Sequence, residues 1–195
     1  TVYVPAVRSP FQVAKSVGTA AVISGNRVAL GVGIGWQEDE FELLEQNFRT
    51  RGKRTDEGLA LMKELWQPGW TEFHGQFYDA PRMVMEPTPT APVPVYIGGL
   101  SEIAFARAAR HDGWVGDMYK TDEAIGWARR LAEVRESAGA TGDFSVFVAI
   151  TDAWLPEHFA RAEEGGITDC MTMPWAYYFG MDANLEQKLE GMTKF

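Results

Sequence analysis

The sequence predicts an α/β fold in which a parallel sheet is built from successive strand–helix–strand units. Two observations carry this prediction: short apolar runs alternate with helical stretches of roughly 10–15 residues, and turn residues separate them. The chain has 195 residues, of which 46% are hydrophobic and 23% are charged. These proportions are ordinary for a globular protein with one filled core, so we expect a single domain spanning residues 1–195.

In the first part of the chain, residues 1–34 predict a strand, a helix and a second strand. Ser9-Pro10 is a typical helix start, and Gly25 occupies the position where a left-handed C-cap is expected. Two helical stretches follow, one over 39–44 and one over 56–66, with an interruption between them.

Residues 68–92 differ from the rest of the chain because proline and glycine punctuate them. Short aromatic runs predict a small β-hairpin, with Glu72-Phe73 against Phe77-Tyr78 and His74-Gly75 near the turn. We interpret the segment as a hairpin and proline-rich insertion between two parts of the sheet. A plain surface connector accounts for the same composition.

The remainder of the chain alternates regularly between strands and helices. Counted with the first part, it predicts five complete strands and the end of one more. The predicted strands are 95–97, 113–115, 144–150 and 167–173, and the predicted helices are 101–111, 122–138, 156–164 and 184–192.

Charge and cysteine content narrow the class of partner. The net charge of −9 argues against binding to nucleic acid or to an anionic membrane, because such proteins usually present basic surfaces. A single cysteine, Cys170, excludes an intramolecular disulfide and fits the reducing cytoplasm. No apolar run approaches the ~18–20 residues of a membrane span. We therefore expect a cytoplasmic protein that binds neither nucleic acid nor a membrane.

The end of the second predicted strand carries a glycine at every second position. Gly31, Gly33 and Gly35 are followed by Trp36, and a backbone without side chains lets a flat group lie against it. Close packing within the fold is the alternative explanation. The spacing differs from the Gly-x-Gly-x-x-Gly motif of dinucleotide-binding proteins.

Ligands of parallel α/β folds bind beyond the carboxyl ends of the strands. At one such end, the turn Gly98-Gly99-Leu100-Ser101 leads into a helix, and its free N–H groups and hydroxyl suit a phosphate. Glu102 places a like charge next to that phosphate. A tight glycine turn with a serine cap and no ligand is the alternative.

An aromatic segment follows the last strand and offers an apolar wall for a substrate, with a core or subunit contact as the alternative. Trp36 and Trp154 would add to this wall. The residues of the segment are Met173, Trp175, Tyr177, Tyr178, Phe179 and Met181.

No acid–base cluster or metal site is evident in the sequence. His74, His111 and His158 are dispersed, and no pair has the spacing of metal ligands. A solvated network at a helix entry is expected from four charged residues, namely Arg51, Arg54, Asp56 and Glu57. A site with glycines, aromatic residues and a phosphate cradle suits an enzyme whose chemistry comes from a cofactor.

Several short motifs occur in a fixed order along essentially the whole chain. They are Ser24–Arg27 (SGNR), Leu30–Trp36 (LGVGIGW), Glu38–Phe41 (EDEF), Arg51–Glu57 (RGKRTDE), Phe73–Tyr78 (FHGQFY), Val95–Gly99 (VYIGG) and Ala108–Trp114 (AARHDGW). The ordered set resembles the luciferase-like monooxygenase family, which comprises flavin- and deazaflavin-dependent TIM barrels. The details are most similar to the branch that uses coenzyme F420, a deazaflavin.

The resemblance implies an incomplete (β/α)8 TIM barrel, with strands three to eight present and the first two βα units missing from an amino-terminally truncated chain. The bulged third strand, often with a non-proline cis peptide bond, would fall around residues 1–4. The implied activity is hydride transfer between coenzyme F420 and a small organic substrate. The alternatives are an FMN-dependent monooxygenase using O2 and a non-catalytic flavin-binding or structural remnant. A homodimer is implied for the intact enzyme.

The resemblance also implies a set of site residues, while the catalytic residues stay unassigned and no metal is expected. Trp36 stands where sugar-phosphate dehydrogenase relatives have a carboxylate, so their acid–base chemistry does not transfer. The implied cofactor-binding residues are Val4, Ile34, Gly35, Asp39, Gly98, Gly99, Leu100 and Ser101. The expected substrate-pocket residues are Trp36, Asp117, Trp175 and Tyr177.

Overall fold

The structure is a computed structural model that describes residues 2–195, so Thr1, expected in the first strand, lies outside it. Two compact units divide the chain: the first ends at Gly98, and the second runs from Gly99 to Phe195. Over residues 2–195, no helix combines the length and the apolar character that crossing a membrane requires.

The first unit contains a parallel strand pair, β1 with β4, in which Leu30 lies opposite Val95 and Val32 opposite Ile97. Tyr3 forms a parallel bridge to Val32, where the sequence predicts the end of a strand. The elements are α1 (Pro10–Ser24), β1 (Leu30–Val32), α2 (Glu38–Leu43), α3 (Arg51–Leu65), β2 (Thr71–His74), β3 (Asp79–Met83) and β4 (Val95–Gly98), with short 3-10 helices at Pro5–Val7 and Phe48–Thr50.

Helix α1 begins and ends where the sequence predicts. Pro10 is its first residue, and Gly25 closes it in the left-handed conformation at φ 67°. A buried tryptophan links it to α3, because the Trp66 indole N–H donates to the Ala14 carbonyl at 2.9 Å. A Cβ at Gly18 would lie 3.3 Å from the Trp66 ring, so the close approach uses this glycine.

The predicted interruption between the two helical stretches is confirmed, but it ends at Thr50, and helix α3 begins at Arg51 rather than at the predicted residue 56. Arg51 is fixed by backbone acceptors, since its guanidinium donates to the Gly35 carbonyl at 3.1 Å and to the Phe48 carbonyl at 2.9 Å. It also lies 3.7 Å from the centroid of the Phe48 ring. These contacts anchor the first turn, so Arg51 does not belong to the solvated network that the sequence predicts.

The predicted hairpin is confirmed, with a shifted second strand. Strands β2 and β3 pair antiparallel with Phe73 opposite Ala80 and His74 opposite Asp79, so β3 begins at Asp79 rather than Phe77. The shift places residues 75–78 in the connecting loop.

Glu57 of α3 explains the shift. Its carboxylate accepts hydrogen bonds from the backbone N–H groups of Gln76 at 3.0 Å and of Phe77 and Tyr78 at 2.7 Å each. A Cβ at Gly75 would lie 2.1 Å from Glu57 Oε1, so the loop closes tightly around the carboxylate. Glu57 thus holds the hairpin loop against α3 instead of facing solvent in a charged network.

The second unit contains three adjacent parallel strands, in which β5 pairs with β6 and β6 with β7. The predicted α/β organisation with parallel strands is therefore confirmed. The elements are α4 (Glu102–Ala108), β5 (Gly113–Tyr119), α5 (Thr121–Ser137), β6 (Ser145–Ile150), α6 (Pro156–Glu164), β7 (Asp169–Met171), α7 (Pro174–Phe179) and α8 (Leu185–Lys194).

The last strand and the segment after it differ from the prediction. Strand β7 is shorter than the predicted 167–173, and the aromatic segment that follows it forms α7, which the sequence analysis does not predict. Aromatic residues favour strands, whereas the helix start is set by Pro174 at its first position.

Trp114 of β5 is the centre of the core in this unit and is fully buried. Its ring packs against Phe105 of α4 with 6.2 Å between centroids, and it stacks on Tyr119 at 6.3 Å. Its indole N–H donates to the Gly99 carbonyl at 2.9 Å. A Cβ at Gly116 would lie 2.5 Å from the Trp114 ring, so this strand position requires glycine.

We expect Glu57→Ala to lower the free energy of unfolding by about 1–3 kcal/mol, because three backbone donors lose a charged acceptor. Urea denaturation followed by circular dichroism measures the loss. The control is Glu42→Ala, at an exposed position of α2, which should change the same quantity by less than about 0.5 kcal/mol. Equal losses for the two variants would contradict the assigned contact.

Candidate functional site

Side chains of the first unit pack directly against the glycines that follow β1. A Cβ at Gly33 would lie 2.8 Å from Val2 Cγ2, and one at Gly35 would lie 2.7 Å from the Phe41 ring. Gly35 also adopts φ 81°, a conformation that favours glycine. Close packing, the alternative explanation given above, therefore accounts for glycine at positions 33 and 35.

The implied ring-side residues of this unit are only partly brought together. Val4 and Gly35 are neighbours, since a Cβ at Gly35 would lie 3.0 Å from Val4 Cγ1. Ile34 is half-buried, whereas Asp39 in the first turn of α2 and Trp36, at 81% exposure, face solvent. Their roles toward a cofactor remain predictions.

The cis peptide bond in the described chain is Glu86-Pro87. The non-proline cis bond expected around residues 1–4 is therefore not found between residues 2 and 4, where Val4 has extended dihedral angles of φ −106° and ψ 92°. Thr1 lies outside the described part.

The turn after β4 contains the implied phosphate-binding residues, and the structure confirms that Ser101 caps α4. The Ser101 hydroxyl accepts a hydrogen bond from the Ala104 N–H at 3.2 Å. Gly98 ends β4, and Gly99 has φ 110°, which favours glycine. Leu100 and Ser101 are exposed, so the turn presents its backbone to solvent.

Glu102, the like charge beside this turn, is paired with α5. Arg130 donates to both of its carboxylate oxygens, at 3.1 and 2.7 Å, and the hydrogen bond to Arg130 lowers the pKa of the Glu102 carboxyl. Arg130 also contacts Glu133 at 2.8 Å. The charge that would oppose an anion at Ser101 is thus partly offset by a guanidinium.

An apolar cavity of ≈320 Å³ lies at the carboxyl ends of β5, β6 and β7 in the second unit. The residues that line it include four methionines, two threonines and a tryptophan, and none of the lining residues is ionisable. They are Met118, Ala149, Ile150, Thr151, Trp154, Met171, Thr172, Met173, Ala176, Gly180 and Met181.

The predicted aromatic wall contributes to this cavity less directly than expected. Tyr177, 51% exposed, stacks on the lining residue Trp154 with 5.6 Å between ring centroids. Trp175 packs instead against α8, where a Cβ at Gly191 would lie 2.4 Å from Trp175 Cα. Neither Trp175 nor the exposed Asp117 lines the cavity, and their substrate roles stay predictions.

Met118 and Thr172 line the cavity but are not among the residues predicted for the site. Met118 follows the predicted end of the strand at 115, but β5 continues to Tyr119, so the carboxyl end lies later in the chain. Thr172 comes directly after β7, but the predicted strand 167–173 includes it, so it is not expected at a strand end.

Polar contacts of Asp152 and of the Trp154 backbone hold the loops of the cavity. Asp152 Oδ1 accepts from the backbone N–H of Thr121 at 2.8 Å and from its hydroxyl at 2.7 Å, which ties the end of β6 to the start of α5. Burial raises the pKa of Asp152, but these hydrogen bonds outweigh that effect and lower it. Trp154 donates its backbone N–H to His158 Nδ1 at 3.1 Å.

His74 stabilises the hairpin. Its ring nitrogens contact Asp79 at 2.6 Å and Glu72 at 3.1 Å, and the hydrogen bond to Asp79, followed by that to Glu72, raises its pKa. Within residues 2–195, no group of three or more histidine, cysteine or acidic side chains is arranged to hold a metal ion.

We expect Gly35→Ala to lower the free energy of unfolding by about 2–4 kcal/mol, since it combines a positive φ with a clash against Phe41. Gly25→Ala is the matched control: Gly25 has φ 67° but nothing within 4 Å of an added Cβ, so about 1–2 kcal/mol is expected. Urea denaturation compares them, and equal losses would contradict the packing against Phe41.

We expect Asp152→Ala to lower the free energy of unfolding at neutral pH by about 0.5–2 kcal/mol, because the start of α5 loses its acceptor. The folded-state pKa of Asp152 is lowered, so its ionic contribution is present above about pH 4 and is lost as the pH falls through that pKa. Urea denaturation between neutral and acidic pH should show the gap to the wild-type chain narrowing on acidification. A gap that stays constant would exclude the ionic contribution.

Comparison with known proteins places this geometry in a family. A model described as luciferase-like monooxygenase matches residues 1–173. An uncharacterized protein of Mycobacterium tuberculosis is 40% identical over 195 residues, covering 97% of this chain and 66% of that protein. The chain thus spans just under two thirds of the length of this relative.

Two solved structures resemble the chain in fold. An F420-dependent secondary alcohol dehydrogenase in complex with an F420-acetone adduct superposes with a TM-score of 0.65 at 15% identity, covering 100% of this chain and 68% of that chain. The oxygenating constituent of 3,6-diketocamphane monooxygenase from Pseudomonas putida, in complex with FMN, gives 0.61 at 17% identity, with 97% and 62% covered.

The family match extends over most of the chain, and two of the motifs that suggested it, Leu30–Trp36 and Val95–Gly99, lie at the carboxyl ends of β1 and β4. On this evidence, the chain belongs to the luciferase-like monooxygenase family.

Proposed function

We propose that the chain binds a flavin-type cofactor, coenzyme F420 with FMN as the alternative, for a redox reaction on a small organic molecule. The observation that carries the proposal is the apolar cavity at the carboxyl ends of β5, β6 and β7, where parallel α/β folds bind their ligands. The bound cofactor would supply the hydride chemistry, and this chain would bind, orient and shield the reactants.

The turn at 98–101 is the proposed contact for the cofactor phosphate. Support comes from the positive φ of Gly99, the exposed Leu100 and Ser101, and the partial offset of the Glu102 charge by Arg130. The N–H groups that begin a helix lack carbonyl partners within it, which favours an anion. The residues present therefore fit a phosphate-bearing cofactor.

The cavity lining is the proposed contact for the substrate. Its apolar side chains would exclude water from the reacting groups, and the stacked rings of Trp154 and Tyr177 present a rigid edge. Hydride transfer with coenzyme F420 is the reaction we favour, because the chain motifs are most similar to that branch. Action in the cytoplasm and assembly into a homodimer are proposed with it.

The FMN-dependent reaction with O2 is the second candidate, since the structural neighbours include an FMN complex as well as an F420 complex. A non-catalytic flavin-binding protein is the third. Titration of the purified chain with each cofactor, followed by absorbance and fluorescence, distinguishes coenzyme F420 from FMN as the bound cofactor. We expect saturation by one cofactor well below about 1 mM, a concentration equivalent to only about 4 kcal/mol of binding free energy. Binding of neither below that concentration would overturn the proposal.

We expect Ser101→Asp to weaken cofactor binding by about tenfold or more, because it places a negative charge beside the phosphate. Ser101→Asn is the matched control, since aspartate and asparagine both cap helices well, and it should stay within about threefold of the wild-type affinity. The same titration measures both variants. Equal cofactor affinities of the two variants, with unchanged urea midpoints, would contradict phosphate binding at this turn.

A further inference from the structure

We propose that the cavity at the ends of β5, β6 and β7 selects a neutral, largely apolar molecule with a single polar group, a carbonyl or a hydroxyl. This substrate class rests on the proposed function, since it describes the molecule that the same site would hold. Three features of the cavity support this substrate class: the absence of charged lining residues, the shape of the cavity, and one hydroxyl without a hydrogen-bond partner among residues 2–195.

Charge favours a neutral ligand. None of the lining residues is ionisable, so an ionised group would lose its hydration without gaining a counter-charge. The charged residues directly adjacent in sequence to lining residues are acidic at Asp117, Asp152 and Asp182, which disfavours anions further. Asp152 is already engaged by Thr121 and does not serve as a partner for a cation.

Shape favours a small molecule with an adaptable apolar body. The volume of ≈320 Å³ lies near the lower end of small-molecule pockets, which span about 300–1,000 Å³. Methionine side chains are unbranched and polarizable and fit themselves to irregular or aromatic shapes. The four lining methionines are Met118, Met171, Met173 and Met181.

One hydroxyl of the lining lacks a hydrogen-bond partner within residues 2–195. The Thr151 hydroxyl donates to the Tyr119 carbonyl at 3.2 Å. By contrast, the Thr172 hydroxyl oxygen is buried and finds no hydrogen-bond partner among residues 2–195. A buried polar atom without a partner is costly, and a ligand carbonyl or hydroxyl beside Thr172 would remove that cost.

The test uses the chain with 13C-labelled methionine methyl groups and three probes of similar size: acetophenone, benzoate and 1-phenylethylammonium. We expect acetophenone to shift the methyl signals of the lining methionines and to bind about tenfold or more tightly than either ion. Met62, buried in the first unit, and Met192 of α8 should not shift. Equal or tighter binding of either ion, or shifts confined to Met62 and Met192, would overturn the proposal.

Two matched variants test whether the missing charge sets the selectivity. Met181 lines the cavity and is 63% exposed, whereas Met192 is 55% exposed and lies outside it. We expect Met181→Lys to reduce the preference for acetophenone over benzoate by about fivefold or more, and Met192→Lys to leave it unchanged. The same change in both variants would contradict the role of the lining.

Thr172→Val tests the polar group, because valine keeps the shape and removes the hydroxyl. We expect it to weaken acetophenone binding by about threefold to tenfold and to leave ethylbenzene within about twofold. An equal effect on both probes would exclude the Thr172 contact. These probes need no cofactor, so a failed cofactor titration with intact probe selectivity would overturn only the proposed function, and the reverse result only the substrate class.

Discussion

The second unit depends on the hydrogen bond from the Trp114 indole N–H to the Gly99 carbonyl. Because Trp114 is fully buried, its single polar atom needs a partner, and Gly99 supplies it at 2.9 Å. The same ring packs on Phe105, in the helix that Ser101 caps. The Trp114 side chain therefore positions both the turn proposed for the phosphate and helix α4. Gly116 has no side chain and so leaves room for the Trp114 ring.

The cavity shows the complementary arrangement. Its loops are held by two polar contacts, Asp152 to Thr121 and the backbone N–H of Trp154 to His158. The lining itself is mostly apolar, with four methionines and one tryptophan, and contains no ionisable residue. Because no lining residue carries a charge, the cavity is suited to a neutral substrate.

The parts of the fold that could be predicted from the sequence have local causes. Helices α1 and α6 follow from Pro10 and Pro156 at their first positions, and the ordered motifs predict the family. The remainder depends on contacts that spacing does not encode. Glu57, in helix α3, binds the hairpin loop and so sets where the second hairpin strand begins. Trp175 packs against Gly191 of α8 instead of joining the predicted wall.

The central claim is that ligands meet this chain at the carboxyl ends of its parallel strands. Mapping amide chemical shifts of the 15N-labelled chain on saturation with coenzyme F420, and separately with FMN, tests it most directly. We expect shifts clustered at residues 99–101 and 151–154, with none at Gly113, Ser145 and Asp169, which begin β5, β6 and β7. Shifts centred on those three residues would contradict it.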